Sequence, residues 1–250
     1  MSIIAVVGDG STTTAVALAA AWPASSEALL VEADPRGGDL AAWLDMPLDP
    51  SLSTLVTTVS DPSWATIERH ARSSRSGLRL IPAPSRTAEA QQAVAESARW
   101  IVPVMASLPS PVVVADAGVP PSTPRGHPFV GAAAATVLVH RQATQSPGAA
   151  AVRLRRLVDQ AEVLSGSTAA LFVVVVGDKP FEVATISRSL AGDATVLGLP
   201  FDPLSAAVYA GRSGVSSRRL ARLPLGRAAA HLAAAVAGSL RVPLASSGQR

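Results

Sequence analysis

Residues 6–22 read VVGDGSTTTAVALAAAW, an apolar run that meets a glycine turn, a set of hydroxyls and then an alanine-rich helix. Gly8 and Gly10 allow positive φ and close backbone approach, while Thr12, Thr13 and Thr14 open a helix whose free N–H groups and dipole attract anions. The chemistry this predicts is phosphate binding by Gly8, Asp9, Gly10, Ser11, Thr12 and Thr13. The plainer alternative is a tight strand-to-helix turn with threonine caps. Two later segments add carboxylates, LLVEADPRGGDL with Glu32 and Asp34, and VVVADAG with Asp116. Carboxylates beside such a loop can hold a magnesium ion through water or orient an attacking water, with a loop hydroxyl completing the metal shell. They can also simply cap the next turn.

These residues need a scaffold, and the hydropathy pattern supplies one. The segments SIIAVV, ALLVEAD, LRLIPAP, PVVVADA, ATVLVHRQ, ALFVVVVGD and ATVLGLPFD read as strands. Helices are expected over 12–22, 39–45, 87–106, 149–164 and 181–191, with a last one over LGRAAAHLAAAVAGSL. Val/Ile/Leu runs without alternation mark strands buried on both faces, so the expected fold class is α/β, a doubly wound, mostly parallel sheet flanked by helices. Ligands of such folds sit at the carboxyl ends of the strands, which places the loops near 8, 34, 116, 141, 177 and 200 together. The proline-rich GVPPSTPRGHP, 118–128, is a long loop of the kind that carries function. A single domain is expected over 1–240, with 241–250 as a disordered tail.

Composition removes several classes of function. The chain has 250 residues, 48% hydrophobic but only 4% aromatic and 16% charged, with no cysteine. There is therefore no disulfide framework, thiolate metal site or cysteine nucleophile, and a cytoplasmic location is expected. The net charge is only +3 and Lys179 is the only lysine, so a nucleic-acid partner is weakly supported. The start lacks the basic region of a signal peptide, and the longest apolar runs fall short of the about 20 residues that a membrane helix needs. His70, His127, His140 and His231 lack metal-ligand spacing, and no G-x-S-x-G elbow occurs.

The segments VVGDGSTTTA, EADPRGGDL, LIPAP, VVVADAG and VLGLPFDPLSAAVYAGRSG together resemble the MinD/ParA family of P-loop ATPases over most of the chain. The resemblance implies ATP and magnesium as cofactors, Thr12 and Asp116 as the magnesium-holding residues, and Asp34 as the residue that activates water. It also shows what is missing. The Walker lysine falls at Ser11, the family's additional signature lysine at Val6, and an asparagine that often follows the VVVV strand at Gly177. Losing such an electrostatic contact typically costs about 3 kcal/mol, near a hundredfold in rate.

Together these features point to a MinD/ParA-like protein with a degenerate site, a pseudo-ATPase that needs no cofactor or binds ATP weakly. It would act as a scaffold or spatial regulator for chromosome or plasmid partitioning, a division site, or pilus and secretion machinery. Its implied partners are a second copy or an intact relative, and a protein of the complex it serves. Two alternatives stand beside it. One is an active ATPase completed by an arginine, Arg36 or Arg125, or by a partner chain. The other is a dinucleotide-binding oxidoreductase using GDGSTT and Glu32 as the ribose-binding acid, although Thr13 stands where a third glycine belongs. Arg212, Arg218, Arg219, Arg222 and Arg227 cluster near the last helix and read as a solvated face or a partner contact.

Overall fold

The computed structural model describes residues 3–23, 27–58, 60–107, 111–142, 146–190, 192–211 and 220–241. Arg212, Arg218, Arg219 and the chain beyond 241 lie outside the described residues. In chain order the elements begin β1 (Ile3–Gly8), α1 (Ser11–Ala20), β2 (Ala28–Glu32), α2 (Leu40–Trp43), α3 (Leu52–Val56), α4 (Trp64–His70), β3 (Arg72–Ser73) and β4 (Arg79–Ile81). They continue as α5 (Thr87–Ser97), α6 (Ile101–Ser107), β5 (Val112–Gly118), α7 (Pro128–Gly131), β6 (Ala135–Arg141) and α8 (Pro147–Ser165). The last are β7 (Ala170–Val176), α9 (Val183–Ser189), β8 (Thr195–Leu199), α10 (Pro203–Tyr209) and α11 (Pro224–Arg241).

Among the described residues eight strands form one sheet in the order β3-β4-β2-β5-β1-β6-β7-β8. Every pairing is parallel except β3 with β4. β1 shows why its apolar run is unbroken. Ile3, Ala5 and Val7 enter one core layer and Ile4 and Val6 the other, so both faces of the strand are dry. The expected doubly wound α/β fold is the one observed.

Alanine explains α1. Its side chains from Thr14 to Ala19 are buried, and the helix lies against the sheet on one side and α11 on the other. Small side chains permit that close approach from two directions. The expected helix over 87–106 is corrected to two, α5 and α6. Pro103 is the cause, since its ring would clash with the carbonyl four residues earlier and it has no N–H to give, so a new helix starts two residues ahead of it. The short antiparallel strand β3 and the helices α3 and α4 are additions to the expected elements, being brief and without clear periodicity. Among the described residues no helix is long and apolar enough to cross a membrane.

Candidate functional site

The loop after β1 is shaped by its glycines. Gly8 has φ +111°, and a Cβ there would lie 2.1 Å from the Val139 carbonyl oxygen of β6. Asp9 N–H donates to that same oxygen at 3.1 Å, which ties the loop to the neighbouring strand. Gly10, φ +96°, turns the chain into α1, and its carbonyl accepts the first helical bond from Thr14 N–H at 3.1 Å. No side chain caps the helix, so the expected threonine caps are not made. The first N–H groups of α1 therefore lack protein partners of that kind. Gly8, Asp9, Gly10, Ser11, Thr12 and Thr13 all line a cleft of about 860 Å³.

Strand register brings the carboxylates level. Asp116 pairs with Val6 on one side and with Glu32 on the other, at the carboxyl ends of β5, β1 and β2. Asp116 is fully buried, and burial pushes its carboxyl above the usual range. Oδ1 accepts from Gly118 N–H at 3.3 Å. The Thr12 and Ser11 hydroxyls face the carboxyl and oppose the rise, but Oδ2 closes no hydrogen bond. A sealed acceptor without a donor, beside two hydroxyls, suits a hydrated divalent cation.

Asp34 is occupied. Arg36 donates its backbone N–H to Oδ1 at 2.9 Å, its Nε to both oxygens at 3.1 Å, and its Nη2 to Oδ2 at 2.6 Å. Hydrogen bonding to Asp34 in turn raises the Arg36 guanidinium pKa. The pair is a fork on a carboxylate two residues away, and both oxygens of the expected water-activating group are spoken for.

Glu32 does structural work. Oε1 accepts from Asp39 N–H at 2.8 Å and Leu40 N–H at 3.0 Å, and Oε2 accepts from Ala83 N–H at 3.0 Å. It is buried and absent from the cleft wall, so no free oxygen remains for a ribose, and the alternative dinucleotide role finds no support in its geometry. Burial, against those three N–H donors, moves its pKa to about 7. The folded state then holds a proton that the unfolded chain, titrating near 4.5, releases. Stability should fall by about 1.4 kcal/mol for each pH unit gained across that window and level off above it. Thermal melts from pH 4.5 to 8 check this: Glu32→Gln, which has no proton to lose, should melt with a flatter profile than the wild type.

Three arginines also face the cleft, Arg36 from the β2 end and Arg153 and Arg156 from α8. Arg153 Nη2 reaches Asp9 Oδ2 at 2.9 Å and the Arg141 carbonyl at 3.0 Å. Arg125 is exposed and lies away from this wall. His140 lines it too, with its pKa lowered by burial and then by Arg153. In the 118–128 loop, His127 is buried, with Nε2 at 2.9 Å from the Ala33 carbonyl. Since a carbonyl only accepts, Nε2–H donates, and burial lowers the pKa of the ring. A smaller hollow of about 130 Å³, between Gly10, Thr13, Arg141 and Phe201, adjoins the cleft.

No family model and no curated protein sequence matches the chain. Solved structures do. One is a ParA family ATPase from Chlorobium tepidum TLS, 13% identical with a TM-score of 0.71, covering 93% of this chain and 97% of that one. Another is the MinC:MinD cell division protein complex of Aquifex aeolicus, 15% identical with a TM-score of 0.66, covering 99% and 100%. A third is an ATP complex of McdA from Cyanothece, 18% identical with a TM-score of 0.61, covering 96% and 97%. The fold is that of the ParA and MinD ATPases.

Within a ParA/MinD fold, the sequence-derived positions come together in part. Thr12 and Asp116 meet, and Asp34 stands near Asp116, whose carboxyl senses its charge. Val6 is fully buried inside β1, and Ser11, at the first turn of α1, turns only a hydroxyl to the cleft, so neither residue supplies a cation there. Arg153 and Arg156 escape the sequence reasoning. Their signal was available in α8, where Ala149, Arg153, Arg156 and Gln160 follow one face and the buried Leu157, Ala161 and Leu164 another.

Proposed function

We infer that this chain is a ParA/MinD-like spatial regulator whose nucleotide site binds MgATP weakly and does not turn it over appreciably. The observation that carries this reading is the Arg36 fork on Asp34, together with a serine where the loop lysine belongs. A carboxylate that already receives a guanidinium on both oxygens is a poor acceptor for the proton of water. The loss of a loop cation removes transition-state stabilisation as well.

The remaining residues fit the cofactor better than they fit its hydrolysis. Gly8 to Thr13 would hold the phosphates, and Thr12 with the unpartnered oxygen of Asp116 would hold magnesium through water. When bound, magnesium would neutralise phosphate charge that the loop itself does not meet. That an aspartate-to-alanine variant of the similar McdA was solved with ATP supports a nucleotide as the ligand. In this reading residues 1–240 work as one cytoplasmic domain. It pairs with a second copy or an intact relative, and the pair recruits a protein of a positioning or secretion complex. The exposed Arg222, just before α11, and Arg227, in its first turn, offer a partner contact.

A scaffold keeps its association state without a nucleotide cycle. Light scattering on the full chain should give one mass with or without MgATP, and the same mass for Asp34→Ala. A mass that switches on adding MgATP, and is locked in the bound form by Asp34→Ala, would overturn the reading.

A further inference from the structure

The cleft presents a contradiction to an incoming phosphate. Asp9 sits in the middle of the glycine loop with about 57% of its side chain exposed, a negative charge where an anion would lie. The loop holds no cation of its own, yet the opposite wall carries Arg153 and Arg156 one helical turn apart.

Arg153 is already placed. Its Nη2 bonds to Asp9 and to the Arg141 carbonyl, which hold the guanidinium over the loop. A guanidinium has five N–H donors, so with Nη2 on Asp9 the N–H groups of Nε and Nη1 stay available, each for a separate acceptor. Arg156 makes no ion pair among the described residues and lies on the same wall. Across from them is the uncapped start of α1, whose Ser11 and Thr12 line the cleft with buried Asp116 behind their hydroxyls, an arrangement that suits the cation that accompanies a polyphosphate.

The geometry points to a magnesium–polyphosphate site whose anion is held by Arg153 and Arg156 of α8, in place of any cation from the glycine loop. Arg153 has two roles there. It cancels the charge of Asp9, and it offers the N–H groups of Nε and Nη1 to the phosphates. Arg156 adds a second charge one turn along, so a chain of phosphates rather than a single one matches the wall. A nucleotide and free inorganic polyphosphate share this chemistry.

This inference deepens the nucleotide-site reading and rests on it, but its test fails separately. Calorimetry on the full-length chain with magnesium uses two probes, ATP and inorganic tripolyphosphate. Arg153→Ala and Arg156→Ala should each weaken binding by roughly tenfold to a hundredfold, the range for a charge-assisted hydrogen bond. Asp9→Asn keeps the hydrogen bond to Arg153 and removes the repulsion, so it should bind several-fold more tightly, a gain that misfolding cannot produce. Tighter binding of ATP than of tripolyphosphate identifies the nucleotide as the source; the reverse identifies free polyphosphate. Unchanged affinity in the Arg153→Ala/Arg156→Ala double variant, weaker binding by Asp9→Asn, or no binding of either probe by the wild type overturns the proposal. The association state can switch or not whatever the arginine dependence proves to be, so the two readings fall independently.

Discussion

Gly8→Ala is expected to lower the melting temperature by roughly 10 °C. The added carbon would lie 2.1 Å from the Val139 carbonyl oxygen, with the Val139 carbonyl carbon and nitrogen at 3.0 Å. All three are backbone atoms of β6, which is paired with β1 on one side and β7 on the other, so the obstacle cannot rotate aside. The φ of +111° is closed to an L side chain in any case. Strain and displacement of two central strands together put the cost at about 3 kcal/mol or more. Gly148→Ala, at the start of α8 with open space around its Cβ, is the comparison and should melt at or slightly above the wild type. Scanning calorimetry of both variants reads the difference.

The second large effect concerns turnover. In the proposed pseudo-ATPase, the missing loop cation at Ser11 and the arginine fork on Asp34 both hold turnover down. Ser11→Lys alone restores charge but leaves Asp34 bound at 2.6 Å by Arg36 Nη2. Arg36→Ala alone frees the carboxylate but leaves the transition state without a loop cation. Because each repair is useless without the other, the effects should be strongly non-additive. The double variant Ser11→Lys/Arg36→Ala is expected to raise phosphate release from MgATP by about a hundredfold over wild type, the size of one restored electrostatic contact. Each single variant should stay near the wild-type rate.

Much of the frame could be read from the chain. The Ile3–Val7 run announced a strand dry on both faces because both core layers take its side chains in turn. Gly8, Thr12 and Asp116 could be placed because strand ends and glycine turns are local features. The split of the expected 87–106 helix was encoded in Pro103, whose clash outweighs the favourable alanine and glutamine run before it. Other parts were hidden for physical reasons. The Arg36 fork depends on a side-chain rotamer that no spacing rule fixes. The Arg153–Asp9 contact joins residues 144 apart, brought together only when β6 pairs with β1. Glu32 looked available for a ligand because its three backbone donors come from two other segments, at 39–40 and at 83.

This chain is proposed to keep the framework and lose its catalytic charge, a claim that phosphate release from MgATP measures directly. Wild type and the Ser11→Lys/Arg36→Ala variant are assayed side by side with Asp34→Ala. Wild-type release is expected at the background of the assay, unchanged by Asp34→Ala, with clear turnover in the double variant. Wild-type release well above background that disappears in Asp34→Ala would contradict the claim.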